Sequence, residues 1–165
     1  MNKFEQLGLS ESLQRAIIDL GFENPTEVQE KAIPLLLEKD TDLVALAQTG
    51  TGKTAAFGFP VIQKIDANNR NTQALILSPT RELCLQITNE LKNYSKYEKG
   101  INVVAVYGGA SITEQARDIK RGAQIIVATP GRMQDMINRR LVDISQINYC
   151  ILDEADEMLN MGFYE

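Results

Sequence analysis

Five short apolar runs recur along the chain, at Asp42–Ala47, Gln73–Ser78, Asn102–Tyr107, Gln124–Ala128 and Tyr149–Asp153. Segments such as "ALILS", "NVVAVY" and "QIIVA" are continuously apolar rather than alternating, the mark of strands covered on both faces. Between the runs the apolar spacing is helical, at roughly Lys53–Ile65, Arg81–Tyr97, Ile112–Arg121 and Gly131–Arg140. Ahead of them, Ser10 opens a helix whose apolar face is Leu13, Ala16, Ile17 and Leu20, and Gly21 closes it. "PTEVQEKAIPLLL" predicts a second helix, with a break or kink at Pro34. Buried strands alternating with helices predict an α/β fold, a parallel sheet with helices on both faces. Ligands in such sheets bind outside the carboxyl ends of the strands, so any chemistry is expected there.

Composition leaves this picture in place and narrows the chemistry. Apolar residues make up 44 % and charged residues 24 % of the 165, an ordinary globular balance for one domain. No run approaches the roughly 18 apolar residues of a membrane helix, and the N-terminus lacks a signal-peptide pattern. A cytoplasmic monomer is expected. The absence of histidine excludes imidazole catalysis and His-ligated metals. Cys84 and Cys150 have no metal-like spacing and read as two reduced thiols. A net charge of −5 argues against a generically basic nucleic-acid binder, so any such contact must use few, local cations.

"AQTGTGKTAAF", residues 47 to 57, follows the first run directly. Gly50 and Gly52 permit a tight loop whose N–H groups face phosphate oxygens, and the helix beyond presents its positive end to the same anion. Lys53 adds a charge for the β and γ phosphates, and the Thr54 hydroxyl can ligate Mg2+. Ala47 stands where this phosphate-loop pattern usually begins with glycine; Gln48, Thr49 and Thr51 complete the stretch.

The last apolar run ends in Asp153, Glu154 and Asp156. In a parallel sheet Asp153 can lie beside the phosphate loop and hold Mg2+ opposite Thr54, partly through water, while Glu154 orients or deprotonates the attacking water. Alone, "DEAD" reads equally well as an acidic helix start. The preceding "YCIL" and the companion "GTGKT" favour the metal reading.

Together "AQTGTGKT" and "LDEAD" resemble the DEAD-box ATP-dependent RNA helicases, and the resemblance extends over essentially the whole chain. It implies a RecA-like P-loop NTPase domain, a three-layer sandwich over residues 1–165, with an adenine-recognition segment over 1–29. "GFENPTEVQ", residues 21 to 29, is similar to the family's adenine-reading element. The resemblance assigns Phe22 a ring for stacking, Gln29 an amide for the adenine edge, and Thr26 and the upstream Phe4 to the same site. Without it, Phe22 reads as core and Gln29 as a solvated helix position.

"PTREL" (79 to 83), "GG" (108 and 109) and "TPGR" (129 to 132) are similar to the family's RNA-contacting motifs. Each follows a predicted strand. Arg81 and Arg132 offer forked donors for phosphate, Thr80 and Thr129 add hydroxyls, and Pro79, Gly108, Gly109, Pro130 and Gly131 shape close backbone approaches. None suits base-edge reading, so RNA would be held through its backbone, independently of sequence. Singly, "PTRE" is a plain helix start and "GG" a turn; their joint order carries the reading.

Three features depart from the family pattern. Cys84 replaces a small alanine, and the cluster Lys92, Lys96 and Lys99 matches no motif and reads as a solvated helix face. Nothing in the chain matches the family's "SAT" motif or the second RecA-like domain with its arginine finger. The expectation is therefore an amino-terminal domain truncated shortly after "DEAD", with Asp156 serving interdomain coupling. It would bind ATP with Mg2+ weakly and turn it over negligibly. The alternatives are a non-catalytic short RNA- or nucleotide-binding module, or another P-loop ATPase.

Overall fold

The computed structural model describes residues 4–22, 24–38 and 53–152. Four strands, β1 (Ala74–Leu77), β2 (Val103–Val106), β3 (Ile125–Ala128) and β4 (Tyr149–Leu152), form a parallel sheet in the order β2-β3-β1-β4. The expected run Asp42–Ala47 lies outside the described residues.

Alternate residues of each strand feed two separate cores. Ala74, Ile76, Val103, Ile125, Val127 and Ile151 face one; Leu75, Leu77, Val106, Ile126, Ala128 and Leu152 face the other. The first core is closed by α1 (Glu11–Asp19), α2 (Glu27–Glu38), α3 (Lys53–Lys64) and α4 (Arg81–Tyr94), through side chains such as Leu13, Ile33, Ile62 and Leu91. The second is closed by α5 (Ile112–Arg121) and α6 (Pro130–Asn138), through Ile119, Met133 and Met136. The two cores make the three layers expected from continuously apolar strands. Each fully buried leucine or isoleucine contributes about 1.5–3 kcal/mol by leaving water.

Local chemistry sets the element ends. Ser10 caps α1, its hydroxyl accepting from Leu13 N–H. Thr80 and Ser111 cap α4 and α5 in the same way, through Leu83 and Glu114. α4 stops at Tyr94 rather than the expected Tyr97, with Ser95 as its C-cap; the Ser95 N–H and hydroxyl both bond Leu91 O, at 3.0 and 2.8 Å. Lys92 alone of the lysine cluster therefore lies on the helix, and Lys96 instead pairs with Asp19 at 3.0 Å. α2 runs through Pro34 without breaking. The carbonyl deprived of its N–H partner belongs to Glu30, on the exposed side, where water can serve it.

The amino-terminal edge of the sheet is stitched by buried amides. Gln124 accepts from Asn102 N–H at 2.8 Å and donates to Gly100 O at 2.7 Å, and Gln73 accepts from Asp66 N–H at 2.9 Å. That edge is closed by polar bonds, and the opposite edge carries the site.

Candidate functional site

The four strands end level. Leu77 pairs with both Ala128 and Leu152, and Val106 pairs with Ala128. The residues that follow therefore leave the sheet along one rim. β1 leads into Pro79, Thr80 and Arg81, β2 into Tyr107, Gly108 and Gly109, and β3 into Thr129, Pro130, Gly131 and Arg132. The three motifs expected to contact RNA thus lie side by side.

Both arginines reach the glycine loop after β2. The Arg81 guanidinium lies over the Tyr107 ring at 5.0 Å, a cation–π contact that holds it against the loop. Gly109 adopts φ +86°, and a Cβ there would come within 3.4 Å of Arg81 Nη1. The left-handed backbone is what favours glycine there. Arg132 Nη1 donates to Ala110 O and to Gln115 Oε1, each at 3.0 Å. Gln115 is buried, and its Nε2 donates to Tyr107 O at 3.1 Å.

Around this pair the rim is shaped by helix starts. Pro79 is buried, and Thr80 spends its hydroxyl on the cap of α4. Pro130 occupies the first turn of α6, where its missing N–H costs nothing, and Thr129 makes no side-chain capping bond. Gly108 and Gly131 are exposed, with open space where a Cβ would stand. Below them Ser78, fully buried, has a hydroxyl without a hydrogen-bond partner among the described residues.

Tyr107, Gln115 and Ser78 were not among the residues singled out from sequence. A signal existed for Gln115. Ile112, Ala116 and Ile119 mark the inward face of α5, and Gln115 interrupts that face with an amide.

The adenine-reading segment is built by two helix-end devices. Gly21 at φ +83° ends α1; its N–H bonds Ile18 O at 3.0 Å, and Phe22 N–H bonds Ile17 O at 3.1 Å. This reversal delivers the half-buried Phe22 ring edge-on to Phe4, Phe59 and Tyr94, with centroids 6.2, 6.2 and 6.3 Å away. Phe4 is fully buried behind it, so its placement is that of a support for Phe22, without an exposed ring face. Thr26 and Gln29 form a reciprocal box at the start of α2. Thr26 N–H donates to Gln29 Oε1 at 2.9 Å, and Gln29 N–H donates to Thr26 Oγ1 at 3.3 Å. Gln29 is thus buried, not the solvated position that helix pattern alone suggests.

α3 begins at Lys53, with Thr54 half-buried in its first turn. At its other end Lys64 Nζ lies 5.6 Å from the ring centre of Tyr149, the first residue of β4. The C-terminal end of α3 therefore lies beside the start of β4. A helix start with unbonded N–H groups and a first-turn hydroxyl suits a nucleotide phosphate and its cation. Ala47, Gln48, Thr49, Gly50, Thr51 and Gly52, the Lys53 side chain, and Asp153, Glu154 and Asp156 lie outside the described residues. Among the described residues no cluster of acidic or cysteine side chains forms a metal site.

Level-ended parallel strands between two helical layers, with arginine and glycine motifs on one rim, define a RecA-like domain. The chain belongs to the DEAD/DEAH box helicase family, which it matches over residues 26–165. It is 53 % identical to the ATP-dependent RNA helicase CshA of Listeria monocytogenes, covering all of this chain and 31 % of that protein. It is 48 % identical to the ATP-dependent RNA helicase DeaD of Mycobacterium tuberculosis, covering 97 % of this chain and 28 % of that one. A crystal structure of a DEAD box protein from Methanococcus jannaschii superposes with a TM-score of 0.91 at 46 % identity, over 97 % of this chain and 43 % of that one. That of the RNA-helicase Prp28 from Chaetomium thermophilum bound to ADP gives 0.86 at 44 % identity, over 98 % and 40 %. The chain spans about a third of the length of these curated relatives.

Proposed function

We propose that this domain is the ATP-binding half of an ATP-dependent RNA helicase, coupling ATP binding and hydrolysis to local unwinding or remodelling of RNA. The observation that carries the reading is the common rim. The level strand ends gather Arg81, Gly109 and Arg132, and β4 leads in sequence to Asp153.

In this reading adenine stacks on Phe22 and meets the Gln29 amide, whose orientation the Thr26 box fixes in advance. The loop from Ala47 to Gly52, with Lys53, holds the phosphates. Thr54 and Asp153 hold Mg2+, which would neutralise phosphate charge, and Glu154 lines up water. Thr80, Thr129, Pro79, Pro130, Gly108 and Gly131 bring the RNA backbone against the two arginines, without reading base edges. Asp156 couples the site to a second RecA-like domain, whose closure would bend the strand. A cytoplasmic, monomeric protein fits; no helix among the described residues is long and apolar enough to cross a membrane.

An ATPase assay on the chain alone, with and without single-stranded RNA, tests the reading. Weak adenine-nucleotide binding with negligible turnover is expected, since an arginine finger supplies about 10³ to 10⁵ in rate. Preference for ATP over GTP should vanish in Gln29→Ala. Equal ATP and GTP binding by the unaltered chain would point instead to another P-loop ATPase. Failure to bind either nucleotide would favour a non-catalytic module.

A further inference from the structure

The sheet edge opposite the proposed RNA rim carries a concavity of about 840 Å3 between α5, the exit of α6 and the loop before β1. Four cations line it, Arg70, Arg117, Lys120 and Arg140, from three different segments. No ion pair or hydrogen bond joins any of their charged groups to another described residue. The one carboxylate in the lining, Asp143, already accepts from Ser145 N–H at 2.9 Å. In a chain of net charge −5, four cations against a single carboxylate around one hollow are not what the overall charge balance would place there.

Two backbone features hold the cluster in place. Arg140 is the described non-glycine residue with positive φ, at 58°, and stands where a helix exit ordinarily takes glycine. Its N–H bonds Ile137 O, and Leu141 N–H bonds Met136 O, which completes the reversal after α6. Retaining a long cation at a position that favours glycine is a cost the fold itself does not require. On the other side, the Arg70 stem lies against Gly122, where a Cβ would come within 3.3 Å of Arg70 Cβ. Gly122 has φ +122°. The absence of a side chain there lets Arg70 lie down beside the end of α5.

A simpler account is that Lys120 and Arg140 answer the negative ends of α5 and α6. It leaves Arg70 and Arg117 unexplained, since Arg70 is on a loop and Arg117 is mid-helix.

We propose that this hollow is a second phosphate-binding site, independent of the nucleotide loop and the RNA rim, that takes a multiply charged phosphate. Forked guanidinium donors from three sides suit tetrahedral oxyanions. The phosphates can come from an RNA segment outside the cleft or from a free polyphosphate. The site does not depend on the helicase reading.

Titration of inorganic tripolyphosphate into the 15N-labelled chain tests it, because shift mapping separates this site from the loop at residues 47–54. Backbone amides of Gly122, Arg140, Leu141 and Val142 are expected to move in saturable fashion. Arg117→Gln and Arg140→Gln should each weaken that binding about tenfold, as expected for losing one charge-assisted donor group. A single-stranded RNA oligonucleotide that produces the same shifts identifies nucleic-acid phosphate as the source; RNA that leaves these amides still identifies the free anion. Shifts confined to the 47–54 amides, or pocket shifts unaltered in both variants, would overturn the proposal.

Discussion

Arg132 and Gln115 meet through a 3.0 Å hydrogen bond, and the same glutamine reaches Tyr107 O on the neighbouring strand exit. Gln115 therefore fixes the direction of a rim arginine while remaining buried itself. Its truncation should loosen Arg132 without removing charge. Gln115→Ala is expected to weaken binding of single-stranded RNA about three- to tenfold, from the loss of one or two hydrogen bonds of about 1 kcal/mol each. The dependence of log affinity on log salt should keep its slope. Arg132→Ala should reduce that slope by about one, as a lost phosphate contact does. Anisotropy titrations at several salt concentrations make the comparison; matching slope changes in the two variants would refute a positioning role for Gln115.

Gly58 marks the closest approach of α3 and α4. A Cβ at this position would lie 2.8 Å from Leu91 Cδ2 and 3.4 Å from Tyr94 Cδ2. Leu91 is fully buried and cannot swing aside cheaply. Gly58→Ala gains up to about 1 kcal/mol of helix propensity but forces overpacking that costs about 1–3 kcal/mol. The melting temperature should fall by about 2–6 °C. Combined with Leu91→Ala, the two costs should sum to less than their separate values, since the cavity receives the added methyl. Thermal unfolding of the single and double variants decides it.

The sheet was legible because its strands are apolar on both faces, a pattern that periodicity alone reports. The paired cores confirm that logic residue by residue, Ile76 facing one and Leu77 the other. Helix ends were less legible where a single side chain decides them. α4 ends at a Ser95 cap that no breaker residue announces, and Pro34 is carried because Glu30 faces solvent. The rim motifs were legible only as a group, from their joint order, and their shared rim followed from each one standing directly after an apolar run. Tyr107 and Gln115 escaped notice because their roles exist only between elements, joining β2, α5 and α6 in space. Gln29 was misread by helix pattern for a related reason. Its side chain turns back on Thr26, a box visible as "TEVQ" only once the helix start is known.

Cys84 and Cys150 should differ sharply in reactivity. Burial pushes the Cys84 thiol from an ordinary 9.0 up to about 11, and its Sγ donates to Val127 O at 3.1 Å. At pH 8 almost no thiolate exists there. Iodoacetamide should label Cys150, which is half-buried, and leave Cys84 untouched until denaturant is added. Peptide mapping after timed alkylation reads this out. The same shift sets a pH dependence. Above about pH 9 the unfolded thiol ionises while the folded one stays protonated until about 11, so stability should fall across that window. Cys84→Ala should abolish this part of the alkaline loss; an unchanged loss would assign it to other groups.

Arg140 offers a test in which stability and charge move separately. Its φ of 58° costs a side-chain-bearing residue about 1 kcal/mol relative to glycine, which adopts that backbone freely. Arg140→Gly should therefore raise stability by about 1 kcal/mol and the melting temperature by about 2–4 °C. Arg140→Gln keeps the left-handed strain and removes only the charge, so its melting temperature should match the unaltered chain. The side chain is exposed and makes no ion pair or hydrogen bond with another described residue, so neither change removes one of those. If glycine gave no gain over glutamine, the left-handed turn after α6 would carry no strain worth relieving. A melting temperature that drops in both variants would show that the guanidinium stabilises the helix exit, and a fold-stabilising role would then explain its presence.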